Sequence, residues 1–140
     1  MIKKSGSAKW TGDLTGGAGE VSTQSGALSA QPYGFNTRFE DKAGTNPEEL
    51  IAAAHAACFS MAFANMLAGA EIGGVEIETT AVVSLDKGPT GFAITKSALT
   101  CKVKAEADAE DIAEVAEAAK LGCPVSMVLD CEITLDLEIV

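Results

Sequence analysis

The stretch LIAAAHAACFSMAFANMLAGA, residues 50–70, decides how this chain is read. It is nearly all apolar, yet it carries one thiol, Cys58, and one imidazole, His55. Helix-start signals stand just before it. Thr45 or Asn46 can cap, Pro47 suits the first helical position, and Glu48 and Glu49 place negative charge at the positive end of the helix dipole. The pattern predicts a helix from Pro47 to about Ala68, stopped by Gly69. The stretch approaches the length of a membrane span. Alanine dominates it, however, and His55, Ser60 and Asn65 interrupt it. Its flanks are Glu48, Glu49 and Glu71 rather than Lys or Arg. It therefore reads as a long helix buried at the centre of a soluble protein, and no membrane is expected as a partner.

Working outward, residues 5–30 are rich in Gly, Ser and Thr. Patches such as AKW and GEVST read as short strands joined by glycine turns. Residues 31–46, QPYGFNTRFEDKAGTN, look loop-like at both ends. After the helix, VEIETTAVVSL (75–85) alternates apolar and polar residues, as a half-buried strand does. DKGPTG is a turn, and FAITKSALTCKVK (92–104) is a second strand, expected to pair with the first as a hairpin. ADAEDIAEVAEAAKLG (107–122) is an amphipathic helix with Ile112, Val115 and Ala119 inward. Pro124 opens a short further helix, PVSMVL. In CEITLDLEIV (131–140), Cys131, Ile133, Leu135, Leu137 and Ile139 share one strand face. The expected fold is α+β: a mainly antiparallel sheet packed on a long buried central helix, as a single domain over residues 1–140.

The 140 residues carry a formal net charge of −10, which a phosphate backbone would repel, so nucleic acid is not an expected partner. The apolar fraction of 47% argues for a packed core rather than disorder. The start, MIKKSGSAKW, has two lysines but no apolar stretch after them, so a cytoplasmic location is expected. The four cysteines, Cys58, Cys101, Cys123 and Cys131, show no CxxC pair, and a permanent disulfide framework is not expected in a reducing compartment.

Strand periodicity makes Cys101 and Cys131 packed, inert thiols. Cys123 lies between Gly122 and Pro124, where the N-terminus of the next helix favours thiolate. Cys58 sits mid-helix, so its activation needs an external cation or hydrogen bond. His55, three residues earlier on the same face, leaves three readings open: a satisfied core histidine, a base for a cysteine nucleophile, or a metal ligand shared with Cys58 and Cys123. The metal reading lacks a second compact ligand pair. A Cys–His hydrolase lacks a third orienting group. Arg38 is the only arginine among ten Lys and Arg residues, which suggests a planar donor placed for a particular acceptor.

QPYGFNTRFE (31–40), GTNPEELIAAAHAACFSMA (44–62) and GCPVS (122–126) together resemble the OsmC/Ohr family of thiol peroxidases, and its OsmC branch closely; AKWTGD and VSTQSG near the start also fit. The resemblance covers almost the whole chain. It implies reduction of peroxides, organic hydroperoxides in preference to hydrogen peroxide, by two cysteines, with no metal or other cofactor. Cys58 matches the peroxidatic cysteine and Cys123 the resolving one. Arg38 matches the arginine that stabilises the thiolate, and Glu48, or its neighbour Glu49, the glutamate that holds this arginine. The resemblance also implies an intertwined homodimer with active sites at the interface. The reductant it implies is an external dithiol, lipoyl groups included. It gives His55 no role.

Helix geometry adds a constraint of its own. Glu48 and Cys58, ten residues apart on one helix, differ by about 15 Å in rise and about 80° around the axis. The Arg38–Glu48 pair near a given Cys58 is therefore expected to come at least partly from the other subunit. The rival reading is a redox-sensing or lipophile-binding module that uses the same cysteine pocket without turnover.

Overall fold

The computed structural model describes residues 1–140, which divide into two units, residues 1–50 and 51–140. In the first unit, β1 (Gly6–Thr11) pairs antiparallel with β2 (Ala18–Thr23), and β2 pairs antiparallel with β3 (Gln31–Tyr33). Gly19 on β2 lies against the rings of Trp10 and Tyr33, and a Cβ there would run into the Tyr33 ring. The rings sit 5.6 Å apart because nothing larger than glycine stands between them.

A short helix, α1 (Phe35–Phe39), follows β3. The Thr37 hydroxyl starts it, accepting from the Gly34 N–H at 2.8 Å and donating to the Gly34 carbonyl at 3.0 Å. The sequence of residues 31–46 looks loop-like at both ends and signals neither β3 nor α1. Three- and five-residue elements are too short to show a hydrophobic period, and here one hydroxyl closes the turn.

Helix α2 (Pro47–Gly69) begins at Asn46, whose side-chain oxygen accepts the Glu49 N–H at 2.9 Å. This leaves Pro47 at the first helical position, where its missing donor costs nothing. The Asn46 amide also donates to the Thr37 carbonyl at 3.2 Å and ties the helix start to α1.

The second unit holds the rest of α2, then β4 (Glu76–Gly88), β5 (Gly91–Lys104), α3 (Ala109–Gly122), α4 (Pro124–Val128) and β6 (Glu132–Ile139). β4 and β5 form the expected hairpin and run further into the turn than their periodicity indicates. Gly88 pairs with Gly91, so only Pro89 and Thr90 bridge the strands. Gly91 takes φ +123, a backbone angle closed to most side chains. β5 is the central strand, antiparallel to β4 and parallel to β6. The parallel pair follows from connectivity, since α3 and α4 carry the chain back before β6 begins. Where one mainly antiparallel sheet is expected from the sequence, the chain thus forms two three-stranded sheets, the second of mixed direction.

His55, Phe59, Phe63 and Leu67 recur every four residues along α2 and are fully buried. They pack with Leu99, Cys101 and Val103 of β5 and with Ile112, Ala116 and Ala119 of α3. Val115, expected inward, is only half-buried, and Ala116 takes the core position. The long helix also departs from the expectation of full burial. Ala53, Ala54, Ala57, Met61 and Ala64 are exposed in the chain, Met61 at 75%. Alanine is compatible with either environment, so composition alone cannot tell a one-sided helix from a buried one.

Replacing Phe63 by Ala removes the centre of the stripe and leaves a cavity against β5. Urea unfolding at fixed protein concentration is expected to show a loss of about 3–5 kcal/mol, whereas Glu114→Gln, at an exposed position of α3, changes stability by less than about 0.5 kcal/mol.

Candidate active site

The second unit brings two sulfurs together. Cys58 belongs to α2, in a row with Ala62 and Met66 that flanks the buried stripe and packs on the core. Cys123, fully buried, ends α3 and caps α4. Its N–H donates to the Ala119 carbonyl at 2.9 Å, and its carbonyl accepts the Met127 N–H at 3.1 Å. Both bonds fix its backbone between two helices, as the Gly-Cys-Pro junction suggests. A Cβ on Gly122 would lie 3.2 Å from the Met66 terminal methyl, so the end of α3 comes close to α2. Across 65 residues of chain the two thiols come close enough for each to shift the other's pKa, and neither is in a disulfide.

The same geometry separates them electrostatically. Burial pushes the Cys58 thiol up; the hydrogen bond to Cys123 and a charge on that sulfur push it further, and only the Val125 N–H works against them. Burial pushes at Cys123 too. There it is outweighed by hydrogen bonds from Cys58, from the Ser126 N–H and hydroxyl, and from the Val125 N–H, so the net direction is down. Cys58 has only one amide, with no cation in its own unit, to support a charge.

His55 binds neither sulfur. Its Nδ1 lies 2.7 Å from Ser97 Oγ and its Nε2 lies 2.8 Å from Ser126 Oγ. Both ring nitrogens are taken, which leaves none for a metal or for deprotonating Cys58. Of the three readings of His55, the structure selects the satisfied core histidine. Burial pushes its pKa down, so the ring is neutral. Ser97 and Ser126, distant in sequence by 42 and 71 residues, carry no periodic or motif signal that pairs them with His55.

Cys101 is fully buried on β5; burial pushes its thiol up, against a hydrogen bond with Thr79. Cys131 precedes β6 and is half-buried.

The first unit holds the arginine. Arg38, on α1, donates to Glu48 in the first turn of α2: Nη2 to Oε1 at 2.6 Å, and Nε to both carboxylate oxygens at 3.2 Å. Glu49, by contrast, is exposed, and its N–H is spent on the Asn46 cap. The Glu48 side chain is 12% exposed and that of Arg38 35%, so the carboxylate is the anchored member and the guanidinium keeps a free edge. That edge faces a pocket of about 310 Å³ lined by Trp10, Leu14, Tyr33, Gly34, Phe35, Phe39 and Pro47 together with Arg38. Its lining is almost entirely apolar apart from the guanidinium.

This order of strands and helices defines a known α+β class. OhrB of Bacillus subtilis superposes with a TM-score of 0.68 at 25% identity, over 97% of this chain and 98% of its own. An OsmC-like protein from Vibrio cholerae, 17% identical over 98% of this chain and 99% of its own, gives 0.75. The family model described as OsmC-like protein matches residues 39–138, and the chain belongs to this family. Peroxiredoxin OsmC of Escherichia coli K12 is 58% identical over 139 residues, 99% of this chain and 97% of that protein. The organic hydroperoxide resistance protein OhrB of B. subtilis is 32% identical over 126 residues, 89% of this chain and 90% of its own. The chain thus lies on the OsmC side of the family.

His55 is the chain's one histidine, which makes its linkage to stability readable. Its folded pKa lies below the unfolded value of about 6.5, so the unfolded chain takes up a proton first as pH falls. Its contribution is complete above that value and is lost as pH drops from about 6.5 toward the folded pKa. Melting curves between pH 7.5 and 5.5 are expected to show a falling Tm, with a flatter slope in His55→Gln.

Proposed function

We propose that the chain is a metal-independent thiol peroxidase that reduces organic hydroperoxides, and hydrogen peroxide more weakly. The observation that carries the proposal is the contact between Cys58 and Cys123, made by two residues that have no local reason to meet. The names of the relatives, peroxiredoxin and organic hydroperoxide resistance protein, support the same chemistry.

In the first step the Cys58 thiolate attacks the terminal oxygen of R–O–OH. The O–O bond breaks, the alkoxide takes a proton and leaves as alcohol, and Cys58 becomes a sulfenic acid. The Cys123 sulfur then attacks Cys58 Sγ. A disulfide forms, and the departing hydroxyl combines with the Cys123 proton to give water. An external dithiol, such as a lipoyl group, restores both thiols by two exchanges and is itself oxidised to a disulfide.

Cys58 must be the charged sulfur in the first step, although its own unit favours charge on Cys123. The Arg38 guanidinium, held by Glu48, supplies the missing cation. The apolar pocket beside Arg38 accommodates the alkyl group of the peroxide. The protein acts in the cytoplasm as a homodimer in which Arg38 of the partner subunit faces Cys58. The alanine-rich side of α2 supports this assembly, since Ala53, Ala54, Ala57, Met61 and Ala64 leave an apolar face of that helix uncovered in one chain.

Mass spectrometry after one equivalent of tert-butyl hydroperoxide is expected to find a Cys58–Cys123 bridge, with Cys101 and Cys131 still reduced. Steady consumption with a dithiol present accompanies it. Consumption that stops after one equivalent marks a sensor instead, and a bridge elsewhere overturns the assignment.

The origin of the arginine is tested with mixed dimers of Cys58→Ser and Arg38→Ala chains. If Arg38 acts across the interface, one site carries both defects and the other none, so the mixed dimer retains about half the wild-type rate. If Arg38 acts within its own chain, each site carries one defect and almost no activity survives.

A further inference from the structure

Beyond the sulfur pair, the second unit contains a buried chain of hydrogen bonds that the peroxidase steps above leave unused. Ser97 on β5, His55 on α2 and Ser126 on α4 are all buried, at 0%, 0% and 8% exposure. Their bonds, 2.7 and 2.8 Å long, cross from the sheet to the thiol site. Ser126 is buried in the first turn of α4, whose N-cap is Cys123, so the chain ends beside that sulfur, where the Ser126 hydroxyl and Cys58 both act to lower its pKa. A lone core histidine needs two partners, but nothing requires the second to be a hydroxyl in contact with a reactive sulfur.

We propose that the Ser97–His55–Ser126 chain directs the Ser126 hydroxyl proton onto Cys123, so that more of this sulfur is held as the thiolate that attacks the oxidised Cys58. The proposal rests on the peroxidase reading for the identity of that step. The proton count fixes the arrangement. A neutral imidazole has one N–H. If Nε2 carries it, Nε2–H donates to Ser126 Oγ, and the single Ser126 proton is left for Cys123. Nδ1 is then an acceptor and takes the Ser97 proton. In the other tautomer the Ser126 proton is spent on Nε2, and Cys123 loses its donor. In this arrangement Ser97 donates to Nδ1, His55 turns Ser126, and Ser126 faces the reacting sulfur. His55 and Ser97 are positioning residues, acting only through Ser126.

The chain serves the second half-reaction rather than the first. In the peroxide step the charge sits on Cys58, which Ser126 does not contact. In the resolving step Cys123 gives up its proton to the departing hydroxyl, the S–S bond forms as the S–O bond breaks, and Ser126 donates to the sulfur throughout.

The test separates the two steps. One equivalent of tert-butyl hydroperoxide is mixed with the full-length protein. Samples quenched over time with dimedone and a thiol alkylator are analysed by mass spectrometry. In Ser126→Ala and in His55→Gln, disulfide formation is expected to slow about tenfold or more, the weight of a hydrogen bond to a charged acceptor. Cys58 oxidation changes by less than about twofold on the same grounds, so the Cys58 dimedone adduct accumulates. Ser126→Thr, which keeps the hydroxyl, restores bridging. Unchanged bridging in both variants overturns the proposal, and so does equal slowing of both steps, which is the mark of a structural role.

A second measurement needs no peroxide. In a Cys58→Ser background the thiolate absorbance of Cys123 is titrated with and without Ser126→Ala. The groups facing Cys123 in its unit are the hydroxyl and N–H of Ser126, the N–H of Val125 and residue 58, with no charged side chain among them. Removal of the hydroxyl is expected to move the titration to higher pH, and an unmoved curve overturns the proposal even if the wild-type protein proves not to be a peroxidase.

Discussion

The second unit hangs on the row His55–Phe59–Phe63–Leu67, which fixes how α2 is rotated against β5. Once that row faces inward, everything else on the helix is placed by its angle from it. Cys58 lies about 60° from His55 and about 100° from Phe59, so it falls in the half-buried row beside the stripe. That row is where the end of α3 and the start of α4 arrive. A one-residue rotation of the helix would put Cys58 into the core or out into solvent, and in neither place would Cys123 reach it. Three large apolar side chains thus hold a reactive sulfur at the boundary of the core without touching its chemistry.

At that boundary the two sulfurs receive different solvation. Cys123 draws on two amides and a hydroxyl, Cys58 on one amide. Fixed neutral dipoles therefore favour charge on Cys123 over Cys58. A single cation next to Cys58 would reverse this order, because at contact distance in a partly desolvated site a full charge outweighs several dipoles. Anchoring the guanidinium on Glu48 costs it little freedom and leaves its outer edge available. In the proposed cycle the work would thus be divided between a charge that creates the first nucleophile and neutral donors that assist the second.

Much of this was legible in the sequence, and the exceptions have physical causes. Asn46, Pro47, Glu48 and Glu49 announce the start of α2 because capping is local chemistry, visible over four residues. β4, β5 and β6 announce themselves by alternation. The Gly122–Cys123–Pro124 junction reads as two helices meeting, and so it is. By contrast, α1 depends on one threonine hydroxyl closing a five-residue turn. The parallel course of β6 depends on how α3 and α4 return the chain. The one-sidedness of α2 is hidden because alanine fits both its faces. His55 was left with three readings because its partners come from β5 and α4, and no pattern within 21 residues of helix names a serine on either. Arg38 and Glu48 stand out by count and by position, and what the sequence leaves open, which of two adjacent glutamates takes the guanidinium, is answered by the bonds from Arg38 Nε and Nη2 to the Glu48 carboxylate.

A buried histidine held between two serines suits a resolving cysteine for a reason that a cationic group would not satisfy. A lysine or arginine beside Cys123 would hold that sulfur ionised at all times, and the pair would then have two candidates for the peroxide and strong repulsion between them. A neutral hydroxyl favours the Cys123 thiolate by an amount comparable to one charge-assisted hydrogen bond, about 1.5–3 kcal/mol. In the proposed cycle that would raise the share of Cys123 ready to attack and would be too little to take the charge from Cys58 while an arginine faced it. Keeping the imidazole neutral is part of the same arrangement. Its depth in the core lowers its pKa, so near neutral pH the ring carries one proton.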